Sequence, residues 1–186
     1  MKSRIPVHRS HSKIMFMAIV MLWQIVLTGQ EGWKRFSPPD EKFSILVPCE
    51  MQYGEKSLLT DVGKLTTKTW MCQPADDHPN KLYILSFVDY PDGTFHPDSL
   101  EIAESLFDIT ITQNVKDLGG ELLYQTDISK ENQPGKLYRV SYNKNKSVMK
   151  SVIFLSGDRF MALQVYALTP RSLNPEMDIF LDSLKF

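Results

Sequence analysis

The chain has 186 residues, with 21 Lys and Arg against 22 Asp and Glu and a formal net charge of -1. Residues 1–29 hold four of the basic residues and none of the acidic ones, so the remainder carries 17 against 22, a net charge of -5. That balance leaves no electrostatic footprint for nucleic acid or an anionic membrane surface. The length suits one domain with a proper core, and no repeat or low-complexity linker divides it.

Lys2, Arg4, Arg9 and Lys13 precede an apolar run, Ile14 to Leu27, that ends in Thr28-Gly29-Gln30. A basic, then apolar, then small and polar stretch is the layout of a secretory signal peptide. The run is shorter than the about 20 apolar residues that cross a bilayer, and it contains Gln24. Residues 1–29 are therefore read as a cleaved signal rather than an uncleaved anchor. Residues 30–186 are read as a single exported domain, periplasmic or extracellular, with no membrane contact once the signal is removed. The run does not end in a cysteine, so a lipoprotein attachment site is missing.

Trp33 to Pro39 opens the domain, and Phe43 to Val47 reads as a short strand closed by Pro48. Cys49 and Cys72 are the only cysteines. They flank a hairpin region, Glu50 to Met71, with a turn at Asp61-Val62-Gly63. Pairing about that turn sets Cys72 opposite a residue near Gln52, so a bridge to Cys49 needs a bend at Pro48. An even cysteine count in an exported chain permits this disulfide; two inert thiols are the alternative. A two-cysteine metal site lacks a His or third Cys at ligand spacing.

Leu65 to Cys72 is the next strand, and Gln73 to Asn80 a polar loop holding Asp76, Asp77 and His78. Lys81 to Tyr90 places Leu82, Ile84, Ser86 and Val88 on one face and Tyr83, Leu85 and Phe87 on the other, which predicts a strand covered on both sides. Asp89 to Thr94 lacks the spacing and distal Glu of a calcium loop and reads as a turn. Asp98 and Glu101 form a capping-box-like pair before a long helix. Its apolar stripe runs Leu100, Ala103, Phe107, Ile111, Val115 and Leu118, and Gly119-Gly120 stops it.

Glu121 to Ile128 reads as a strand, Pro134-Gly135 as a turn, and Lys136 to Tyr142 as a strand in which Tyr138, Val140 and Tyr142 alternate with polar residues. Lys144-Asn145-Lys146 reads as a solvated turn, and the sequon Asn145-Lys146-Ser147 as a chance match. Ser147 to Leu155 and Arg159 to Leu168 flank a hairpin turn, Ser156-Gly157-Asp158. Asn174 caps a terminal amphipathic helix with Pro175 at its first position and Met177, Phe180, Leu181 and Leu184 on one face. Strands, a long helix, a meander and a short helix predict an α+β fold: an antiparallel sheet with helices packed on it.

Trp33-x-x-Phe36-x-Pro38, Phe43-Ser44-Ile45-x-x-Pro48 and Phe180-Leu181-x-Ser183-Leu184-Lys185-Phe186 resemble a group of exported bacterial proteins of uncharacterised activity. In outline these are similar to the PsbP-like α/β/α sandwich. The resemblance covers nearly the whole domain as an order of elements, and its motifs are short and structural. PsbP assists the lumenal side of a photosynthetic complex without catalysing a reaction, so the resemblance implies an accessory role and brings over no functional residue.

His78 and His96 are the domain's histidines, each beside a proline in a loop, without the orienting partner a general base needs. G-x-S-x-G, cysteine-protease, Walker and dinucleotide patterns are missing. Trp33, Trp70 and the tyrosines read as sheet and core residues rather than a ligand pocket. No catalytic residue, cofactor or metal is expected. The resulting expectation is a non-catalytic extracytoplasmic domain that binds or assists a protein or a small ligand. A small-molecule or lipid carrier is one alternative, marked by a continuous apolar cavity. A hydrolase is the other, marked by a cleft where Asp76 or Asp92 meets His78 or His96.

Overall fold

A computed structural model describes residues 32–60, 63–96 and 100–186. The signal segment, the expected turn at Asp61-Val62 and the Asp98 cap lie outside these residues. Nine strands and two helices follow in chain order: β1 (Lys34–Phe36), β2 (Ile45–Val47), β3 (Gln52–Thr60), β4 (Gly63–Cys72), β5 (Asn80–Asp89), α1 (Leu100–Leu118), β6 (Glu121–Lys130), β7 (Gln133–Tyr142), β8 (Ser147–Ser156), β9 (Arg159–Leu168) and α2 (Pro175–Leu181). Seven of the strands form one antiparallel sheet in the order β3-β4-β5-β9-β8-β7-β6. The architecture is the expected α+β one.

Each face of the sheet carries its own core. On one face α1 lays Ala103, Phe107 and Ile111 over Tyr138, Val140, Met149 and Ile153. This is the apolar stripe of the sequence meeting the helix-facing residues of β7 and β8. Lys136, 7% exposed, pins the contact by bonding Glu104 of α1 at 2.6 Å and Asp127 of β6 at 2.8 Å. The helix ends at Gly119, φ +54°, with Gly119 N–H donating to Lys116 and Gly120 N–H to Val115. That pair of bonds is the Schellman stop.

The second face is covered by the β1–β2 ribbon and α2. Phe43, Ile45 and Val47 pack with Met177, Phe180 and Leu184 over Tyr83, Leu85, Phe154 and Leu163. Helix α2 ends at Leu181, and Leu184 reaches the core from the residues after it. Ser44 and Lys185 exchange two backbone hydrogen bonds of 2.9 Å, and the Ser183 hydroxyl accepts from Leu46 N–H at 2.8 Å. The two end motifs of the sequence therefore pair with each other.

The structure corrects one expectation. Pro134 and Gly135 lie inside β7, and the turn is Glu131-Asn132, both at positive φ, with Lys130 opposite Gln133. Pro134 fits because the β7–β8 ladder begins only at Gly135, so its missing N–H removes no bond there. The residues of β7 that alternate with Tyr138, Val140 and Tyr142 lie on the side of the sheet away from α1. The β1–β2/α2 layer covers that side, leaving Arg139 and Ser141 buried. The short β1 strand had no sequence signal beyond its aromatics.

Candidate functional site

One end of the sandwich holds a connected network of polar side chains. Loop 73–79 leads into β5, and the turn 169–174 leads out of β9 into α2. Asn80 and Asn174 clasp the two: Asn80 Nδ2 donates to Asn174 Oδ1 at 3.1 Å and Asn174 Nδ2 to Asn80 Oδ1 at 3.0 Å. Asn80 Nδ2 also donates to the Tyr83 hydroxyl at 2.7 Å. Asn174 Oδ1 caps α2 by accepting from Glu176 and Met177 N–H, as its N-cap position predicts.

His78 closes the network. Its Nε2 is 3.0 Å from Glu176 Oε2, a buried oxygen with no hydrogen-bond partner assigned among the described residues. His78 Nδ1 lies 3.1 Å from Asn80 O and 3.2 Å from Asn80 N, which ties the ring to the start of β5. Glu176 lies 98 positions away in sequence, and no local pattern announced it. Asp76, Asp77, Asp92 and His96 are exposed. The structure does not bring either aspartate of the hydrolase reading to a histidine.

Cys49 and Cys72 are joined in a disulfide, with Cα atoms 5.7 Å apart. Gln52 stands opposite Met71, so Cys72 lies one residue past the paired stretch and Cys49 before β3 begins. Cys72 is fully buried against the second core.

Elsewhere the polar groups clamp loops. Arg159 pairs with Asp89 and Glu41 and stacks 4.4 Å over Phe87. The Asp158 carboxylate accepts from Phe95 N–H at 2.8 Å and Gly93 N–H at 2.7 Å, which hold it below the usual carboxylate range. Asn145 accepts from the Ser141 hydroxyl, within a turn where Asn143, Lys144 and Asn145 all have positive φ.

Ala103, Phe107 and Ile111 of α1 are buried against the sheet. Open grooves flank the helix instead: one of about 420 Å³ beside β6, lined by Asp108, Val115, Leu122 and Gln125, and one of about 390 Å³ near its start, lined by Tyr90, Phe95, Ile102 and Ile109. Among the described residues no helix is long and apolar enough to cross a membrane, and no His, Cys, Asp and Glu side chains cluster as a metal site.

Burial sets the phenols apart. It raises Tyr83 and Tyr138, and it pushes Tyr166 up to about 12, with Tyr138 and Tyr142 adding to the rise. A folded value above the unfolded one means the contribution to stability is complete below about pH 10 and is lost as pH rises through the folded values. Phenolate absorbance is therefore expected to rise in two steps, the second coinciding with loss of far-UV circular dichroism. One reversible step for all seven tyrosines, with the dichroism intact, would contradict this.

The sheet order, the crossing helix and the two unlike covering layers define a PsbP-like α+β sandwich. Cyanobacterial PsbP (CyanoP) from Synechocystis sp. PCC 6803 is similar, with a TM-score of 0.55 and 12% identity over 85% of this chain and 94% of that one. PA94, a protein of unknown function from Pseudomonas aeruginosa, gives a TM-score of 0.40 and 10% identity over 78% of this chain and 90% of that one. No family model and no curated protein matches the chain.

Proposed function

We infer that this is a non-catalytic accessory or binding domain that works outside the cytoplasm after loss of residues 1–29. Its partner, a protein or a small ligand, is met at the surface. The observation that carries the reading is the pairing of Cys49 with Cys72, which uses both cysteines and belongs to an oxidising compartment. The leader-like N-terminus supports it independently. The PsbP-like fold adds an analogy at the level of fold. Cores packed on both faces count against a carrier, and the separation of His78 and His96 from Asp76 and Asp92 counts against that form of hydrolase.

The test is the intact mass of the protein recovered from its own host, measured denatured and then under native conditions. The expected mass begins near Gln30 and is two protons light, with additional mass in the native spectrum from a bound partner or ligand. A full-length, fully reduced chain would overturn the extracytoplasmic reading.

A further inference from the structure

Arg139 and Lys150 stand directly opposite each other across β7 and β8. Like charges in that position repel, so the pairing calls for a negative group. Lys150 has one in Asp178 of α2. Arg139 has none. It is 9% exposed, and among the described residues its guanidinium donates only to the Ser172 hydroxyl and carbonyl, both through Nη2. A guanidinium carries five N–H donors, and burying it beside neutral oxygens alone leaves its charge uncompensated.

Arg139 lines an opening of about 310 Å³ together with Lys150, Ser172, Leu173, Asn174 and Asp178. Leu173 is 90% exposed, while Ser172 beside it is buried. Asp178 is the one carboxylate in the lining. The pocket therefore holds two cations against one anion, a planar fork beside an ammonium that is paired with Asp178, with hydroxyl and amide groups close by. That is the donor set that recognises phosphate and carboxylate oxygens. Its volume lies at the lower end of the about 300–1,000 Å³ typical of small-molecule sites.

We propose that this pocket binds a small oxyanion, the phosphate or carboxylate group of a soluble molecule, between Arg139 and Lys150. The assignment goes beyond the accessory reading, and the pocket's chemistry is the same whether or not the chain is exported. The mass measurement and the binding measurement therefore fail separately.

The test is calorimetric titration of the purified full chain in low-salt neutral buffer with inorganic phosphate, and in separate arms with succinate and acetate. Saturable binding at one site per chain is expected, and the arm that binds more tightly identifies the anion. Arg139→Gln is expected to weaken it by about tenfold or more. Asp178→Asn removes the competing carboxylate and is expected to tighten it, which a purely structural role for Arg139 would not produce. Lys144→Gln, on the exposed turn, is expected to leave affinity unchanged. Where Arg139→Gln fails to fold, Lys150→Gln gives the same reading from a less central position. Absence of saturable binding in all three arms, or equal affinity in the parent and a folded pocket variant, would overturn the proposal.

Discussion

Gly135→Ala is expected to destabilise the protein by about 3 kcal/mol or more, a large fraction of an ordinary domain's stability. Gly135 sits in β7 between Ile128 of β6 and Phe154 of β8. A Cβ there would lie 2.2 Å from the Ile153 carbonyl oxygen and 2.6 Å from Phe154 Cδ1. The first is backbone held in the sheet ladder and cannot swing aside, so strand separation or loss of pairing must absorb the clash. Gly54 is the comparison. It lies in β3 at the sheet edge, a Cβ there meets nothing within 4 Å, and its φ needs no glycine. Gly54→Ala is expected to stay within about 0.5 kcal/mol of the parent or to stabilise slightly. Denaturant midpoints of the two variants decide the matter. A Gly135→Ala protein that unfolds at the parent's midpoint would mean the β7–β8 register is wrong.

Replacing both cysteines by alanine is the second large effect. The bridge spans 23 positions, and closing a loop of that size removes unfolded-state entropy worth roughly 3 kcal/mol. For a domain of this length that corresponds to a fall in Tm of about 6 to 12 °C. The estimate is a lower one, because Cys72 is fully buried and alanine leaves a void where its sulfur was. Thermal unfolding of the parent with and without reductant, beside the Cys49→Ala/Cys72→Ala variant, measures it. A midpoint indifferent to both treatments would mean the two sulfurs are not joined in solution, and the strongest support for an extracytoplasmic setting would go with them.

What the sequence disclosed was local. The stripe from Ala103 to Leu118, the Gly119-Gly120 stop, the Asn174 cap and the hairpin at Gly157-Asp158 are each written within a few consecutive residues, and the sheet class followed from their order. The turn before β7 was hidden because Pro134-Gly135 is a stronger turn word than Glu131-Asn132. The glycine is there for a different reason, since β8 passes too close for any side chain. The polar end was illegible for the same kind of cause. Glu176 meets His78 and Asn174 meets Asn80 only after strands far apart in sequence are brought together. Arg139 and Lys150 carried no signal of their own, because they become neighbours only through the β7–β8 register.

The place of β9 in the sheet bears on how the protein is made. It is the last strand in the chain and lies between β5 and β8, near the middle of the sheet. Until it is synthesised, β3–β5 and β6–β8 are separate three-stranded half-sheets, each with an open edge where β9 will pair. The pairing of Ser44 with Lys185 then waits for residues later still. Joining of the two half-sheets is thus delayed to the final stretch of translation, a slow, long-range step on the route to the native state. The sheet becomes continuous only when β9 enters between β5 and β8.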